Sequence, residues 1–293
     1  MPIYLKNVCF TYQPDSPFQN QALNGISCTI HDGEIIGVTG PTGAGKSTFL
    51  QLLNGILKPT AGEVEVDGVV TSQLKGRALV NLRQKVGLVF QFPEDQLFEV
   101  RVFDDIAFGP RNLGWSEDKV KRAVQWAMDM LGLDKDEFQD RSTQELSSGQ
   151  KRRVALAGSL AMRPNYLLLD EPTAGLDAYG RQLLLALLRK LNREYRTTVV
   201  IVSHRLEDLA AVCQRLLVFQ AGQLALQGTV SGVFGHQEAL QEVGLQLPPL
   251  NELLWKLKAY RPEIDPTVLT LEEAAGEIER AFEVYFQGGP EDV

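Results

Sequence analysis

Cysteines and long apolar runs are scarce in this sequence, and their scarcity excludes several classes of protein. The three cysteines, Cys9, Cys28 and Cys213, are scattered and form no CxxC pair, so neither a disulfide framework nor a zinc site is indicated. The longest apolar stretches, such as residues 183–188, are too short to cross a bilayer. The first ten residues have no signal-peptide profile. We therefore expect a soluble protein of a reducing compartment.

Basic residues are in the minority, with 29 Lys and Arg against 37 Asp and Glu and a formal net charge of −8. An acidic chain is not attracted to nucleic acid or to anionic lipid headgroups, so work at a membrane would need a protein partner. Low-complexity segments, fixed-period repeats and sustained heptads are absent as well. With 293 residues, 44% of them hydrophobic, the chain is expected to form one large core with a small appendage.

Short apolar segments alternate with helix-like segments along most of the chain. The predicted strands are residues 34–39, 63–67, 85–90, 166–170 and 198–203, and a hairpin of 216–219 with 223–226. The predicted helices are residues 46–56, about 120–131, 149–162, 182–195, 251–260 and 271–282. This alternation predicts an α/β fold with a largely parallel sheet. Antiparallel strands near the N-terminus and a helical stretch are expected as additions to it.

Changes in composition divide the chain into two parts. The main domain is predicted at residues 1–235, with a helical subdomain at about 92–163, and a small C-terminal α-helical domain is predicted at 236–282. Residues 283–288 read EVYFQG and resemble an engineered protease-cleavage sequence. Residues 283–293 are therefore interpreted as a cloning remnant or a native tail and carry no functional argument.

A glycine-rich turn at residues 40–47 has the spacing G-x-x-x-x-G-K-S, the pattern of a phosphate-binding P-loop. Its glycines let backbone N–H groups turn inward around phosphates, and the helix that begins at Lys46 directs its positive end at them. Lys46 adds a full charge, and the Ser47 hydroxyl is a ligand for Mg²⁺. The turn thus predicts a P-loop NTPase core that binds ATP with Mg²⁺. Its predicted binding residues are Gly40, Pro41, Thr42, Gly43, Ala44, Gly45, Lys46, Ser47 and Thr48.

Two adjacent carboxylates, Asp170 and Glu171, end a predicted apolar strand. Because successive strand side chains point in opposite directions, Asp170 would hold Mg²⁺ and Glu171 would polarise the attacking water. An isolated pair of this kind is usually a solvated strand end, but the P-loop upstream favours the catalytic role. His204 ends another apolar strand, at the edge where ligands gather in open α/β sheets. It is expected to donate a hydrogen bond to the γ-phosphate and to help orient the same water. His31 and His236 are interpreted as ordinary histidines.

Taken together, these motifs resemble an ATP-binding-cassette (ABC) ATPase. After the P-loop come residues 146–150 (LSSGQ), the signature segment, then residues 170–177 (DEPTAGLD) and then His204, in the order typical of that family. The combination is highly specific, and no single motif needs to be. The resemblance covers roughly residues 1–235.

The resemblance implies roles for further residues. Tyr12 would stack on adenine, Gln91 would be the glutamine that couples Mg²⁺ and the attacking water to the transporter, and residues 174–177 would cross a head-to-tail dimer. The residues that would contact the ATP of the second subunit are Ser147, Gly149 and Gln150. The family usually has glycine where this chain has Ser148. Serine would be strained there if the position needed a positive φ; we expect that it fits.

A narrower resemblance is to the energy-coupling-factor ATPases, and most of all to the second of the two paired ATPases in that module. It rests on residues 91–98 (QFPEDQLF), 105–110 (DIAFGP) and 112–114 (NLG). These ATPases power bacterial uptake of vitamins and of cobalt or nickel. The resemblance implies a second ATPase subunit, in a heterodimer or a homodimer, at the cytoplasmic face of the cell membrane. It also implies a transmembrane coupling protein and a separate membrane protein that captures the substrate.

Apolar and acidic residues alternate around Gln91. Apolar anchors among acids suit a groove for a basic amphipathic helix, although the same residues could form a core between subdomains. The apolar residues are Phe90, Phe92, Leu97, Phe98 and Phe103, and the acidic ones are Glu94, Asp95, Glu99, Asp104 and Asp105.

Three other functions share part of this pattern. The ATPase of another ABC importer or exporter would have every motif except the 91–114 segment. A soluble ABC ATPase acting on DNA or ribosomes would usually carry coiled-coil insertions or two cassettes, and neither is present. A regulatory module without turnover would not need both Glu171 and His204.

Overall fold

The computed structural model of the protein describes residues 2–91 and 93–287, without the side chains of Pro93, Asp95 and residues 283–287. Two sheets organise this part of the chain. Their strands are β1 (Ile3–Tyr12), β2 (Asn20–Ile30), β3 (Ile35–Thr39), β4 (Ala61–Val66), β5 (Val69–Val70), β6 (Val86–Val89), β7 (Tyr166–Asp170), β8 (Thr198–Val202), β9 (Arg215–Gln220) and β10 (Gln223–Thr229). The helices are α1 (Lys46–Leu53), α2 (Gly76–Lys85), α3 (Val102–Asn112), α4 (Glu117–Met130), α5 (Lys135–Phe138), α6 (Ser148–Ala161), α7 (Ala178–Tyr195), α8 (Leu206–Val212), α9 (Val230–Phe234), α10 (Gln237–Glu242), α11 (Pro249–Lys258) and α12 (Leu271–Gln287).

The larger sheet carries the strands that end at the predicted site. Its order is β10-β9-β3-β8-β7-β6, and every neighbouring pair except β9 with β10 is parallel. Every residue of β3, β7 and β8 is buried, as expected for parallel strands covered on both faces. The parallel direction brings the ends of β3, β6, β7 and β8 to one edge of the sheet. The predicted α/β fold with a P-loop NTPase core is confirmed.

The smaller sheet is antiparallel, with the order β2-β1-β4-β5. Its apolar face packs with α1 against one face of the parallel sheet, in a core that includes Ile3, Ile26, Phe49, Leu168 and Val200. The antiparallel strands expected near the N-terminus are therefore confirmed as an addition to the parallel core. This packing brings the end of β1 beside α1.

A helical layer, formed chiefly by α3, α4 and α6, packs into a second core with the opposite face of the parallel sheet. The apolar face predicted for α4 is correct. Its buried residues are Val120, Ala123, Val124, Ala127 and Met128, and Leu131 just beyond the helix is buried too. Period-3.6 patterning identified this helix because one stripe of it faces the core.

Several of the described helices differ from the sequence-based prediction, α2 and α7 among them. Helix α2 was not predicted, because Leu82 is its one buried residue and the rest of it is largely exposed, which leaves no apolar period to detect. Helix α7 begins at Ala178 rather than at 182, because the side chain of Asp177 accepts a hydrogen bond from Gly180 N at 2.7 Å and caps the helix earlier.

Three side chains join α4 to the end of α7, at the edge of the sheet opposite the P-loop. The Trp126 indole N–H donates to the Tyr195 hydroxyl at 3.1 Å, and the two rings meet edge to face with centroids 5.3 Å apart. The guanidinium of Arg163, which follows α6, lies 3.3 Å from the centroid of the Trp126 ring. This Trp126–Arg163–Tyr195 cluster attaches the helical layer to the core by an aromatic and cation–π contact.

The C-terminal helices α11 and α12 form a small core of their own around Leu254, Ile264, Ala274 and Ala281. Trp255 packs against the main core and its indole N–H donates to Phe234 O at 3.3 Å. Helix α12 continues through residues 283–287 of the suspected cleavage sequence, and residues 288–293 lie outside the described part of the chain. None of the described helices has both the length and the apolar character that crossing a bilayer demands.

Candidate nucleotide-binding site

The turn at residues 40–47 lies between β3 and α1, at the edge where the parallel strands end. Glycine is required at two of its positions. A Cβ on Gly40, whose φ is 141°, would lie 2.2 Å from Phe219 O, and a Cβ on Gly45, at φ 99°, would lie 2.4 Å from Ala22 O. No other residue could follow this path with its backbone against two strands. The first N–H groups of α1 have no intrahelical acceptor, so the turn offers donors to an anion.

Lys46 lies across its own turn. Its ammonium group donates to Gly40 O at 2.8 Å and to Pro41 O at 2.9 Å, and the residue is 7% exposed. Burial lowers the pKa of Lys46, while the nearby charges of Glu171 and Asp170 act in the opposite direction. The structure therefore brings the cation of the turn and the predicted acidic pair into one electrostatic unit.

The residue predicted to stack on adenine, Tyr12, lies beside the P-loop turn. The Tyr12 hydroxyl is 3.0 Å from Thr48 Oγ1, and Tyr12 meets Phe10 edge to face with ring centroids 4.8 Å apart. Tyr12 is 37% exposed, so part of its ring is free to stack. Ser47, at the start of α1, is exposed, and Thr48 is buried. The order of these side chains, from Tyr12 through Thr48 to Lys46, matches a base at one end of the site and phosphates at the other.

The acidic pair ends β7 next to β8. Asp170 is 7% exposed, and the Glu171 side chain is 11% exposed, with its Oε1 atom buried and without a hydrogen-bond donor among the described residues. Glu171 has a left-handed backbone with φ 48°, which turns the chain sharply at the end of the strand. Its backbone N–H donates to Val202 O at 3.0 Å. A left-handed conformation is uncommon for glutamate and often marks a functional position.

His204 contacts Glu171 directly. The His204 backbone N–H donates to Glu171 Oε2 at 3.4 Å, and His204 Nε2 lies 3.1 Å from Glu171 Oε1, without the alignment of a hydrogen bond. Burial raises the pKa of Glu171 to about 7, opposed by the His204 backbone hydrogen bond and the charge of Lys46. Burial and the charge of Lys46 lower the pKa of His204. The site thus favours a neutral imidazole beside a carboxyl that titrates near neutral pH.

Gln91 is exposed just beyond β6, the neighbour of β7, so it lies at the same edge of the sheet. Phe92 lies outside the described residues. The residues predicted for Mg²⁺ lie at this edge: Ser47 in the first turn of α1, Gln91 just after β6 and Asp170 at the end of β7. Their hydroxyl, amide and carboxylate oxygens are ligands that Mg²⁺ accepts. No cluster of three or more His, Cys, Asp or Glu able to hold a metal occurs in the described residues.

The signature segment begins α6 with reciprocal capping. Gln150 N donates to Ser147 Oγ at 3.3 Å, and Ser147 N donates to Gln150 Oε1 at 2.9 Å. This capping box fixes the helix start. Ser148 is the first helical residue and has no positive φ, so the strain considered for serine does not arise. Ser147, Ser148 and Gly149 are exposed, which leaves the positive end of α6 accessible.

Two residues near the site were not predicted from the sequence. Arg152, two positions beyond Gln150, is buried and holds both oxygens of Glu94. Asp208 of α8 is buried, and its charge acts on Glu171 in the direction that raises the pKa. A buried arginine or aspartate has no local signature in sequence, because only the tertiary partner makes burial tolerable. A family alignment would be the signal for both.

Comparisons with known proteins find relatives of this chain in sequence and in structure. A protein-family profile described as "ABC transporter" matches residues 23–174. The energy-coupling factor transporter ATP-binding protein EcfA2 of Clostridium perfringens is 46% identical over 274 residues, which are 94% of this chain and 96% of that protein. The solved structure of cbiO1 from the same species, described as part of the ABC transporter complex cbiONQ, has a TM-score of 0.73 at 35% identity, over 86% of this chain and 98% of that one. The ATP-binding cassette MJ0796 bound to ADP and Pi has a TM-score of 0.70 at 30% identity, over 78% of this chain and 98% of that one.

Proposed function

We propose, for a chain that belongs to the ABC transporter family and within it to the energy-coupling factor transporter ATP-binding proteins, that it hydrolyses ATP to drive uptake of a micronutrient such as a vitamin, cobalt or nickel. The observation that carries the proposal is the convergence of Lys46, Asp170, Glu171 and His204 at the end of the parallel strands, beside the P-loop turn. The family explains the enzyme class, and this geometry supplies residues for the reaction.

Each residue would have one task in hydrolysis. The N–H groups of the turn and Lys46 would bind the β- and γ-phosphates, and Tyr12 would stack on adenine. Mg²⁺, held by Ser47, Gln91 and Asp170, would neutralise charge on the phosphate oxygens. Glu171, with a pKa of about 7, would accept a hydrogen bond from the attacking water as a general base poised near the working pH.

The same geometry calls for a second subunit. The exposed start of α6 has the free N–H groups of an anion-binding site. A head-to-tail dimer would place it on the γ-phosphate of the ATP bound by the partner's P-loop. Ser147, Gly149 and Gln150 would then contribute in trans. Heterodimer formation with a related ATPase follows from the paired ATPases of the resemblance, and a homodimer is the alternative outcome of the test.

The surface that would meet a transmembrane coupling protein is defined by Phe98, Val100 and Phe108. Phe98 and Val100 are 60% and 69% exposed, and Phe98 meets Phe108 edge to face at 4.5 Å between centroids. The acidic rim, meaning the acidic residues predicted around this surface, has fewer exposed and unpaired carboxylates than the sequence indicates. Asp105 is buried and accepts from Phe98 N and Glu99 N, while Asp104 pairs with Arg111 at 2.9 Å.

Phe103 packs against the core and not on this surface, and the side chain of Asp95 lies outside the described residues. An amphipathic helix with apolar anchors would fit the exposed patch. A separate substrate-capture protein would then be reached only through the coupling protein. We accordingly propose a peripheral position at the cytoplasmic face of the membrane.

A pull-down from detergent-solubilised membranes tests the assembly, and Mg-ATP turnover of the purified complex tests the reaction. The expected result is a second ATPase and a transmembrane protein in the complex, and turnover that Lys46→Ala abolishes. Phe98→Ser combined with Phe108→Ser should release the membrane protein while the ATPase dimer persists. Recovery with a receptor-dependent importer or an exporter subunit instead would refute the proposed assembly.

A further inference from the structure

Arg152 joins three segments that have separate roles in the proposed mechanism. It lies in α6, five residues after the helix cap at Ser147. Its Nε and Nη2 atoms donate to the two carboxylate oxygens of Glu94 at 3.1 and 3.0 Å, and Nη1 donates to the carbonyl oxygen of Ala174. Glu94 lies three residues after Gln91, and Ala174 begins the loop 174–177. All three nitrogen atoms of the guanidinium therefore donate a hydrogen bond.

The burial of this ion pair argues against a role in simple stability. The side chains of Arg152 and Glu94 are 8% and 18% exposed. Removing two charges from water costs about as much as their attraction returns, and a well-packed apolar pair of similar volume is often as stable. What an apolar pair cannot reproduce is the direction of the contact: a planar guanidinium forms two parallel hydrogen bonds with one carboxylate in a single geometry.

The neighbouring arginine has a different environment. Arg153 donates through Nη1 to Leu131 O at 3.4 Å and to Gly132 O at 3.2 Å, both in the turn after α4. Among the residues that the structure describes, these hydrogen bonds stay inside the helical layer and reach neither Glu94 nor the loop 174–177. Arg153 is therefore a matched control with the same residue type, the same helix and a similar number of hydrogen bonds.

We propose that Arg152 is a positioning residue that holds the segment after Gln91 and the loop 174–177 in fixed register with the start of α6, and that hydrolysis of the ATP bound by the second subunit depends on this register. The inference rests on the proposed dimeric ATPase. Glu94 belongs to the segment adjoining the coupling-protein surface, so movement of that surface reaches the guanidinium first. From there it passes to the signature segment and to the loop that would cross the dimer.

The test is steady-state Mg-ATP turnover of the whole complex in lipid nanodiscs, with this chain carrying Arg152→Lys, Glu94→Gln or the control Arg153→Gln. Lysine keeps the positive charge but cannot form the two parallel hydrogen bonds with the Glu94 carboxylate. Misplacement of reacting groups by about 1 Å can cost roughly 10²-fold, so we expect kcat to fall about 10- to 100-fold with KM for ATP nearly unchanged, because Tyr12 and the turn are untouched. The double variant Arg152→Lys with Glu94→Gln should lower kcat no further than the more damaging single variant does, since the two residues act as one unit.

A second arm shows in which site the loss occurs. This chain carries Glu171→Gln with or without Arg152→Lys, and the second subunit is unchanged, so the remaining turnover comes from the second subunit's ATP. Arg152→Lys should lower that remaining turnover. Full kcat in both Arg152→Lys and Glu94→Gln, or an equal loss in Arg153→Gln, would overturn the proposal. If Arg152→Lys lowers Tm, the near-isosteric Glu94→Gln decides. Equal turnover of wild-type and Lys46→Ala complexes would instead refute the proposed ATPase itself.

Discussion

Replacing Glu171 by glutamine should stabilise the unliganded protein at alkaline pH. Burial raises the pKa of this carboxyl from 4.5 to about 7, so the folded state keeps a proton that the unfolded state releases. The sign follows from linkage: the wild-type free energy of unfolding falls as pH rises from about 4.5 to about 7, and the loss is complete above the folded pKa. Glutamine is neutral in both states and removes this loss. Its side chain has nearly the same shape, and the left-handed backbone is common to both proteins.

The magnitude follows from the shift. A difference of about 2.5 pKa units at 1.36 kcal/mol per unit gives about 3 kcal/mol at pH 8, and less than about 1 kcal/mol at pH 5. Urea unfolding in EDTA without nucleotide measures both values. The control is Glu207→Gln, an exposed carboxylate on α8 close to the site. A stabilisation that is the same at pH 5 and pH 8, or that Glu207→Gln reproduces, would refute a buried, proton-holding Glu171.

Three further predictions concern binding, turnover and the fold. In the assembled complex with both catalytic glutamates changed, Glu171→Gln should slow hydrolysis by roughly 10² to 10⁴ and leave ATP binding intact; rapid turnover would remove the general-base role. Tyr12→Phe should preserve nucleotide affinity, measured by fluorescent-nucleotide titration, whereas Tyr12→Ala should lose about 1 kcal/mol or more of stacking; equal affinities would exclude stacking. Asp177→Ala should lower the free energy of unfolding by about 1 kcal/mol through loss of the α7 cap, and Asp177→Asn should retain most of it in urea melts.

Much of the fold was predictable because its signals are local. The apolar strands β3, β7 and β8 are buried along their whole length, so a short run of valine, leucine and isoleucine is enough to identify them. The stripe on α4 is equally clear. Helix α2 escaped because an exposed, basic helix with one buried leucine has no apolar period. Helix α3 contains Pro110, a residue that ordinarily argues against a helix interior.

The candidate site also has a part that the sequence predicts and a part that depends on the tertiary fold. The P-loop turn, Asp170, Glu171 and His204 follow from motif spacing and from the rule that ligands gather at the ends of parallel strands. The partners of Arg152 could not be predicted, because Glu94 is 58 residues away in sequence and only the tertiary fold brings the two together. For the same reason the acidic rim predicted around Gln91 was too wide: Asp105 is turned inward to accept two backbone N–H groups.

The Trp126–Arg163–Tyr195 cluster provides a pivot point for the helical layer. It attaches the layer to the core at the edge of the sheet far from the P-loop, while the contacts of Arg152 attach it at the near edge. If the near fastening releases, the layer becomes a lever that swings about the far one, and travel grows with distance from the pivot. Because the 14 residues of α6 separate Ser147 from Arg163, a rotation about the cluster would move Ser147 more than it moves the end of the helix.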